Sequence, residues 1–474
     1  MAASGPAGSQ KLPLRIALPF SVPTIPLSAL GLAVAVYLPN YFAGHLKVPM
    51  VTIGAVWGLV RILDLPVDVF LAIFMDHTRT LIGRYRVWLL GGVPVTMLSL
   101  YMLFMAPVGF SGTYLFIWLI VLALGTSIQG LAHQAWTATL APQYDERSRL
   151  FGLINAVGVV GTLAAMAVLI IGPSIGLSNA RSVQMCGWGI ILVTPLCCLL
   201  AAVVAPEYVA PNLARRPKIG DYLEVLLKPD LLRLFLAQLC LSLGPNWMSA
   251  IYLYFFEQSR GFTGQQASIL LGVYILVQIP GAGLAVVMAK KISKHRTLMV
   301  TTTGFSLGLL SIFVTPKANL AYAIPFMAFA GIMTAGFGMM IQAMLADVGD
   351  EIRLTQGRQR MSLVYSVNTL ATKIAGAASI FLTFTLLPAL GFDGREGAVN
   401  TPAALHNLDL AFLFGPFVFV MLGGACVLGW RLTGERHDKI RAELEARDAE
   451  LEATPLFEAT LDHPLDPETH RAGA

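Results

Sequence analysis

Charged side chains are scarce in this chain. Asp, Glu, Lys and Arg make up 12% of its 474 residues, whereas about 25% is usual for a soluble domain. Hydrophobic residues make up 56%, and the mean hydropathy is +0.70. An ordinary soluble enzyme and a disordered chain both need more polar side chains than this, so both classes are excluded. The composition indicates a chain that lies mostly in lipid, where apolar side chains need no polar cover.

The sequence also lacks the motifs of nucleotide-driven pumps, hydrolases and metal enzymes. It has no Walker loop and no GxSxG, HExxH or CxxC pattern. The five cysteines fall in apolar stretches without metal-ligand spacing, which predicts small core residues. The net charge of +5 is small and no long basic block is present, so no nucleic acid partner is expected. We therefore expect no enzymatic activity, no cofactor and no metal beyond a bound Na⁺.

Twelve apolar segments run through the chain, each near the length of about 20 residues that a spanning helix needs. The longest connection between them, Pro206 to Pro229, is polar and divides them six and six. Two six-helix halves repeated in parallel are typical of major facilitator transporters, so we expect an all-α membrane protein with that fold. The predicted units are an N-terminal half at 1–205, a cytoplasmic central loop at 206–229, a C-terminal half at 230–431 and a cytoplasmic tail at 432–474. The segments are 16–43, 51–74, 87–106, 113–141, 150–172, 183–205, 230–257, 266–289, 297–315, 319–345, 361–388 and 407–431.

Lys and Arg are distributed unevenly between the two sides of such a bundle. With the N-terminus in the cytoplasm, 25 of the 32 basic residues lie in the termini and in the loops after even-numbered helices, and 5 lie on the other side. Basic residues accumulate on the cytoplasmic side of membrane proteins, so both termini are expected there. Short loops and the lack of a targeting peptide favour a bacterial inner membrane. One such chain contains a complete pathway, so a monomer is expected.

Four charged residues fall at mid-depth of the predicted helices. Arg61, Asp64 and Asp68 share one face of helix 2, because they are spaced i, i+3 and i+7. Asp64 lies about 21 Å from the outer end of that helix, Asp68 about 12 Å from its cytoplasmic end, and Lys373 about 18 Å into helix 11. An ionisable residue at this depth is costly, which makes it a functional hypothesis by default. We expect contact between them if helices 2 and 11 face each other across a central cavity.

These four charges allow two interpretations. They could form a buried ion-pair network that only fixes helix packing, but such networks stabilise less well than apolar packing. They could instead form a cation site, because carboxylate oxygens suit Na⁺ or Li⁺ and a desolvated carboxylate can take up H⁺. Pro66, between the two aspartates, would free a backbone carbonyl near the site. We favour the cation site.

Other polar and aromatic residues give weaker indications. His133 could carry a proton, although a hydrogen-bonded helix histidine is the simpler interpretation. The run from Tyr252 to Phe256, followed by Glu257, is interpreted as an interfacial aromatic belt rather than a substrate platform. Residues 435–447 are predicted to form a short charged helix. Six more residues could line a cavity or bond a neighbouring helix: Ser127, Gln129, Gln134, Gln278, Gln342 and Asn368.

Four short motifs resemble those of one transporter family. Helix 2 and the loop after it carry Asp64-x-x-x-Asp68 and then Asp76-x-Thr78-x-x-x-x-Gly83-Arg84-x-Arg86-x-Trp88. Loop 4–5 carries Asp145-Glu146-Arg147-Ser148-Arg149-Leu150, loop 10–11 carries Ala346-Asp347-x-x-Asp350 followed by Gly357-Arg358, and helix 11 carries Asn368-Thr369-x-x-x-Lys373. Together these motifs resemble those of the glycoside–pentoside–hexuronide:cation symporters, a branch of the major facilitator superfamily. The resemblance covers all twelve predicted helices in order.

The resemblance implies roles for particular residues. It implies that Asp64, Asp68 and the Ser127 hydroxyl bind the coupling cation. It also implies that Lys373 lies close to the cation and the substrate, with Arg61 one turn before the first aspartate. Further candidates for coupling or substrate binding are Asn368, Thr369, Asn155, Gln134 and His133. Candidate gating residues in the cytoplasmic loops are Asp76, Gly83, Arg84, Arg86, Asp145, Arg147, Asp347, Asp350 and Arg358.

The sequence departs from the sugar-transporting relatives where they hold the sugar. The acidic residues of their helices 1 and 4 correspond to Ser28 and Gly130, and the arginine of their helix 5 corresponds to Asn155. These changes remove charge-assisted hydrogen bonds that a sugar would use. Val69 also replaces the usual proline after the second aspartate, and Ala132-His133 replaces the usual Pro-Tyr in helix 4.

The leading hypothesis is symport of a small organic solute, coupled to Na⁺, Li⁺ or H⁺ and working by alternating access. A sugar or glycoside is the first choice of substrate. A lysophospholipid-like or other amphipathic anion, with its headgroup near Lys373, is the alternative. An uncoupled facilitator is a further alternative, and a sensor on a transporter fold or a membrane enzyme has less support.

Overall fold

The structure is a computed structural model of the chain, and it describes ten ranges of residues. They are 12–78, 80, 82–141, 144–207, 228–312, 316–356, 361–432, 436–440, 442–444 and 446. Within these ranges every regular element is helical. The first eleven residues, most of the predicted central loop and the end of the tail lie outside them.

Long helices, numbered α1 to α12 in chain order, contain most of the described residues. Serine and threonine side chains cap several N-termini by accepting a backbone N–H, as Ser111 does for α4 and Thr401 for α12. α8 begins with a full capping box between Thr263 and Gln266. The helices are α1 (Leu14–Gly44), α2 (Met50–His77), α3 (Tyr85–Phe104), α4 (Gly112–Leu140), α5 (Tyr144–Ser174), α6 (Asn179–Val204), α7 (Pro229–Ser259), α8 (Gly264–Ile292), α9 (Lys294–Ser311), α10 (Leu320–Gln356), α11 (Met361–Ala389) and α12 (Pro402–Ala425).

Two of these helices contain a wide π-turn. In α1 it spans Ala33–Tyr37, and in α7 it spans Phe255–Ser259. Each π-turn inserts an extra residue into the helix and redirects the side chains around it, and such bulges are frequent at functional sites. Both lie toward the end of the bundle that carries the loops after odd-numbered helices, called here the odd-loop end (45–49, 105–111, 175–178, 260–263, 316–319 and 390–401). The opposite end is called the even-loop end.

Eleven helices of the described chain are long and apolar enough to cross a membrane. The predicted ninth span is not among them, although residues 294–311 do form a helix. Its first turn carries Lys294, His295 and Arg296, and three threonines follow at 301–303, so its apolar content is low. The chain is thus a multi-pass helical membrane protein, and the count of twelve spans stays a prediction.

Helices pack most closely within the two predicted sets of six. α3 packs on α4 and α6, and α7 packs on α11 and α12. Contacts between the sets are fewer and paired: α2 lies against α11, and α5 lies against α8. α1 also meets α7. A central site between the sets would therefore be bordered by α1, α2, α7 and α11.

Several residues that were predicted in loops lie on helices instead. Asp347 and Asp350 belong to α10, which runs to Gln356 because its polar end continues the helix beyond the apolar segment. Asp145 and Arg147 belong to the first turn of α5, and Asp76 belongs to the last turn of α2. The prediction that these five residues lie in loops was wrong, because the helices extend beyond the apolar segments from which they were predicted.

Candidate functional site

The four predicted mid-depth charges meet in one cluster. The Lys373 ammonium of α11 donates to Asp64 Oδ2 at 3.2 Å and also contacts Asp68 Oδ2. Arg61 Nη1 donates to Asp64 Oδ2 at 3.2 Å. These contacts join α2 to α11 at mid-depth and so bridge the two sets of helices. The predicted contact between helices 2 and 11 is present in the structure.

Asp64 is the most enclosed member of the cluster, with 3% of the residue exposed. The Ser127 hydroxyl of α4 donates to Asp64 Oδ1 at 3.1 Å. The other oxygen accepts from Arg61 and Lys373, so both carboxylate oxygens have partners. The three residues predicted to bind a cation, Asp64, Asp68 and Ser127, thus lie together on α2 and α4. Lys373 of α11 contacts both aspartates.

Asp68 differs from Asp64 because only one of its carboxylate oxygens has a partner among the described residues. Its Oδ2 contacts Lys373, whereas its buried Oδ1 has no hydrogen-bond partner among the described residues. Pro66 lies two residues before Asp68 inside the uninterrupted helix α2 and has no N–H to donate to the carbonyl of Ile62. A hard cation such as Na⁺ is bound by oxygens of this kind, namely carboxylate, hydroxyl and free carbonyl.

A central cavity of about 380 Å³ lies beside the cluster. It is bordered by α1, α2, α4, α7 and α11, and Arg61 is its charged wall residue. Gly130 opens onto it, and so does Gly376, one turn beyond Lys373. Most of its wall is apolar, and the other polar side chains that line it are Thr126, Asn246 and Ser379.

The weaker candidates for substrate binding are not brought together by the structure. His133 is buried, with its Nε2 2.8 Å from the Phe20 carbonyl and its ring stacked on Phe20, as expected for a structural helix histidine. Gln134 and Asn155 are exposed and do not belong to the described lining of the central cavity. Asn368 Oδ1 is buried without a described partner, and Thr369 beside it is exposed.

At the even-loop end of the first six helices, backbone N–H groups are bound by a carboxylate that sequence reasoning missed. Glu207 accepts from the N–H groups of Arg84 and Tyr85, both at 2.6 Å. Gly83 has φ +126° there, and a Cβ at that position would lie 2.1 Å from Glu207 Oε2. Arg86 donates to the Ala205 carbonyl. The predicted gating residues Gly83, Arg84 and Arg86 thus fasten the α2–α3 turn to the end of α6.

At the same end of the other six helices, Asp347 is held by a lysine and a histidine. Lys294 Nζ lies 2.6 Å and 2.7 Å from its two oxygens. His437 Nε2 lies 3.3 Å from Asp347 and 3.0 Å from Asp350. His437 belongs to a helical stretch within 436–446, where a short charged helix was predicted. The side chains of Asp76, Asp145 and Arg147, and the whole of Arg358, lie outside the described residues.

Comparison with known proteins gives one family and several relatives. A family model described as MFS/sugar transport protein matches residues 19–433. The chain is 22% identical over 425 residues to the glucuronide carrier protein homolog of Escherichia coli (strain K12), covering 87% of this chain and 91% of that protein. It is 24% identical over 413 residues to the raffinose carrier protein of Pediococcus pentosaceus, covering 82% of this chain and 63% of that protein. The crystal structure of the nucleoside transporter NupG has the same fold, with a TM-score of 0.63 at 13% identity over 88% of this chain and 100% of that chain.

Proposed function

The chain belongs to the MFS/sugar transport protein family, and from this premise we propose that it couples uptake of a sugar or glycoside to a cation. The resemblance to the glycoside–pentoside–hexuronide:cation symporters is confirmed by the family match and by the curated carriers. The chain is accordingly a membrane-embedded transporter of a small molecule and not an enzyme. The coupling ion, the substrate and the residues that bind them belong to the proposal.

One observation carries the proposal: the Lys373 ammonium is ion-paired with Asp64 and Asp68, the two carboxylates that a coupling cation would need. A bound Na⁺, Li⁺ or H⁺ competes with the ammonium for Asp68, whose Oδ1 has no hydrogen-bond partner among the described residues. Binding of the cation releases Lys373 and changes the α2–α11 contact that borders the central cavity. By linkage, a solute that prefers the released arrangement raises the affinity for the cation by the same factor.

In this proposal the two six-helix sets rock about the central cavity by alternating access. The described hydrogen bonds between them lie at mid-depth or at the odd-loop end, for example Tyr37 Oη to Ser268 Oγ at 3.0 Å. This arrangement is what a carrier closed at the odd-loop end would have. The proposal includes α9 as a twelfth span, cytoplasmic termini, a bacterial inner membrane and a monomeric carrier.

A second substrate class has support from the central cavity. Its walls are mostly apolar, with Arg61 as the charged residue. Apolar walls around one cation suit an amphipathic anion, such as a lysophospholipid, better than a sugar whose every hydroxyl needs a partner. The names of the relatives favour a sugar, so the two classes are tested side by side.

The test is uptake into proteoliposomes under imposed gradients of Na⁺, Li⁺ or H⁺. Raffinose, methyl glucoside, methyl glucuronide and a lysophospholipid serve as solutes. We expect accumulation of a sugar against its gradient in wild type and none in Asp68→Asn. Asp230→Asn, an acid-to-amide change in the first turn of α7, serves as the matched control and should accumulate normally.

Other outcomes separate the alternatives. Equilibration without accumulation under every gradient would identify an uncoupled facilitator. Accumulation of the lysophospholipid alone would move the substrate to the amphipathic class. Concentrative uptake that survives intact in Asp68→Asn would overturn the assigned cation site.

A further inference from the structure

We propose that a cavity at the odd-loop end is a second solute site, which holds a neutral polyhydroxylated solute before it reaches the central cavity. This inference rests on the proposed sugar transport. The cavity, called here the vestibule, has a volume of about 460 Å³ and lies between the two six-helix sets. Ligand pockets commonly measure about 300–1,000 Å³, so the space suffices for a sugar. It is bordered by the ends of α1 and α5 to α8 and by the loop at 390–401.

Two buried polar atoms in the vestibule lack partners among the described residues. Asn40 is 9% exposed, and its Nδ2 donates to the Val36 carbonyl, while its Oδ1 has no hydrogen bond. Tyr254 is 5% exposed, and its Oη also has none. Both residues line the vestibule. A buried polar atom without a partner costs free energy, which a hydroxyl-bearing solute would recover by bonding to it.

The two π-turns place further polar and aromatic groups around these atoms. The π-turn of α1 ends at Tyr37, three residues before Asn40, and that of α7 contains Glu257, three residues after Tyr254. Tyr37 and Glu257 both line the vestibule. A π-turn in the first helix of each set therefore serves the same cavity, and the aromatic run of α7 contributes more than an interfacial belt.

Gly264 keeps open the space between Glu257 and Asn179, which also lines the vestibule. A Cβ at this position would lie 2.8 Å from Glu257 Oε1 and 2.9 Å from Asn179 Nδ2. A carboxylate acceptor and an amide donor thus face the same gap. Tyrosine rings beside such groups suit the binding of a sugar, because a sugar has apolar ring faces and hydroxyls at its edge.

The charges of the vestibule select against a carboxylated solute. Glu257 and Glu396 both line it, and its described wall contains no Lys or Arg. His45 also lines the vestibule, and its Nδ1 lies 3.2 Å from Glu396 Oε2. In the central cavity Arg61 is likewise engaged, by Asp64. A uronide entering between the two sets from the odd-loop end would meet two acidic side chains and no Lys or Arg among the described wall residues, whereas a neutral glycoside would meet hydrogen-bonding groups.

Binding can be separated from transport with a variant that fills only the central cavity. Gly31 lines that cavity, and a Cβ there would have no atom within 4 Å, so Gly31→Phe should fold while obstructing it. The probes are radiolabelled methyl glucoside and methyl glucuronide, which share one ring and differ in a carboxylate. Equilibrium dialysis of the purified full chain measures binding, and proteoliposomes measure uptake.

We expect Gly31→Phe to lose uptake but to keep methyl glucoside binding, with methyl glucuronide bound at least tenfold more weakly. Adding Tyr254→Phe should weaken glucoside binding by about tenfold, the effect of one net hydrogen bond. Tyr252→Phe is the matched control, because its hydroxyl already donates to the Ala267 carbonyl at 3.1 Å and lies outside the described lining. That control should leave glucoside affinity unchanged.

Any of four results would overturn the vestibule site, and three of them concern the variants and the probes. They are loss of glucoside binding in Gly31→Phe while wild type still binds, equal effects of the two tyrosine variants, and equal affinity for the glucuronide. Absence of glucoside binding in wild type would overturn it too. Cation coupling is tested separately, by comparing the Na⁺-dependent melting temperature of wild type with that of Asp68→Asn, so failure of one proposal is distinguishable from failure of the other.

Discussion

Two contacts between the six-helix sets, α2–α11 and α5–α8, differ in chemistry although they correspond in position. At α2–α11, Lys373 bridges the buried carboxylate of Asp64 and the half-buried carboxylate of Asp68, and Gly54 lets α2 approach α11 closely. At α5–α8, the described polar link is a single hydrogen bond of 2.7 Å from Gln265 to Ser174 at the odd-loop end. In the proposed cycle the α2–α11 contact would respond to a cation, whereas the described polar link at α5–α8 is uncharged and offers a cation nothing to displace.

This difference assigns separate tasks to the two contacts. A carrier that rocks needs one interface whose free energy depends on the bound ion and another that slides at little cost. α2–α11 has the features of the first and α5–α8 those of the second. Four variants test this division, in order of decreasing effect.

Lys373→Met should have the largest effect, because it leaves the two aspartates without their ammonium partner. Removing one partner of a buried ion pair costs about 3–5 kcal/mol. We expect a lower melting temperature than wild type in choline chloride and a larger rise on adding NaCl, since Na⁺ then neutralises the carboxylates without competition. Lys290→Met, an exposed lysine at the end of α8, should behave as wild type. A Lys373→Met protein that melts like wild type and ignores Na⁺ would refute the ion-sensitive contact.

Gly54→Ala should come next, because a Cβ there would lie 3.0 Å from Phe384 Cβ and 3.2 Å from the Phe381 carbonyl. Overpacking of this kind costs about 1–3 kcal/mol. Gly272→Ala on α8 is the matched variant, since its Cβ would meet Met166 Cε at 3.6 Å, an ordinary contact. Gly54→Ala should lower the melting temperature and the maximal uptake rate, and Gly272→Ala should change neither. Equal effects would remove the difference between the two contacts.

Ser127→Ala should weaken cation binding without destroying the cluster. It removes one hydrogen bond to Asp64, worth about 1 kcal/mol, so the Na⁺ concentration for half-maximal uptake should rise several-fold. Ser127→Thr keeps the hydroxyl and should restore wild-type Na⁺ dependence. An unchanged Na⁺ dependence in Ser127→Ala would exclude the hydroxyl from the cation site.

Gln265→Ala should have the smallest effect, because it removes only an exposed bond between α5 and α8. We expect a loss of stability below about 1 kcal/mol and uptake with wild-type dependence on Na⁺. Measuring both by thermal melting and proteoliposome uptake completes the comparison. A change in Na⁺ affinity here would mean that α5–α8 also takes part in coupling.

The ion cluster could be predicted from the sequence because placing a charged side chain in lipid costs free energy. Charges at bilayer depth are costly, so Asp64, Asp68 and Lys373 stood out in apolar surroundings and met as expected. The helices could be predicted for the same reason. Their polar ends could not, since hydrophobicity says nothing about where α10 continues past Asp347 to Gln356.

Other parts of the site depend on packing that no local pattern reveals. Glu207 lies at the start of the predicted central loop, and nothing near it in sequence indicates that it binds the start of α3. His437 lies in a tail for which the sequence predicts only a short charged helix, yet its side chain contacts Asp347 and Asp350. The vestibule depends on Asn40 and Tyr254, which come from different six-helix sets and lie more than 200 residues apart.

The composition of the ion cluster has an electrical consequence. Two carboxylates, one ammonium and one guanidinium lie at mid-depth of the bundle, so without a coupling ion their charges cancel. In the proposed cycle the unloaded reorientation would hardly feel the membrane potential. The step with one bound cation and a neutral glycoside would carry a net positive charge, and about 2.3 kcal/mol per 100 mV would act on a full charge moved across the membrane. An inside-negative membrane would then drive the loaded step directly, and steady uptake would register as an inward current.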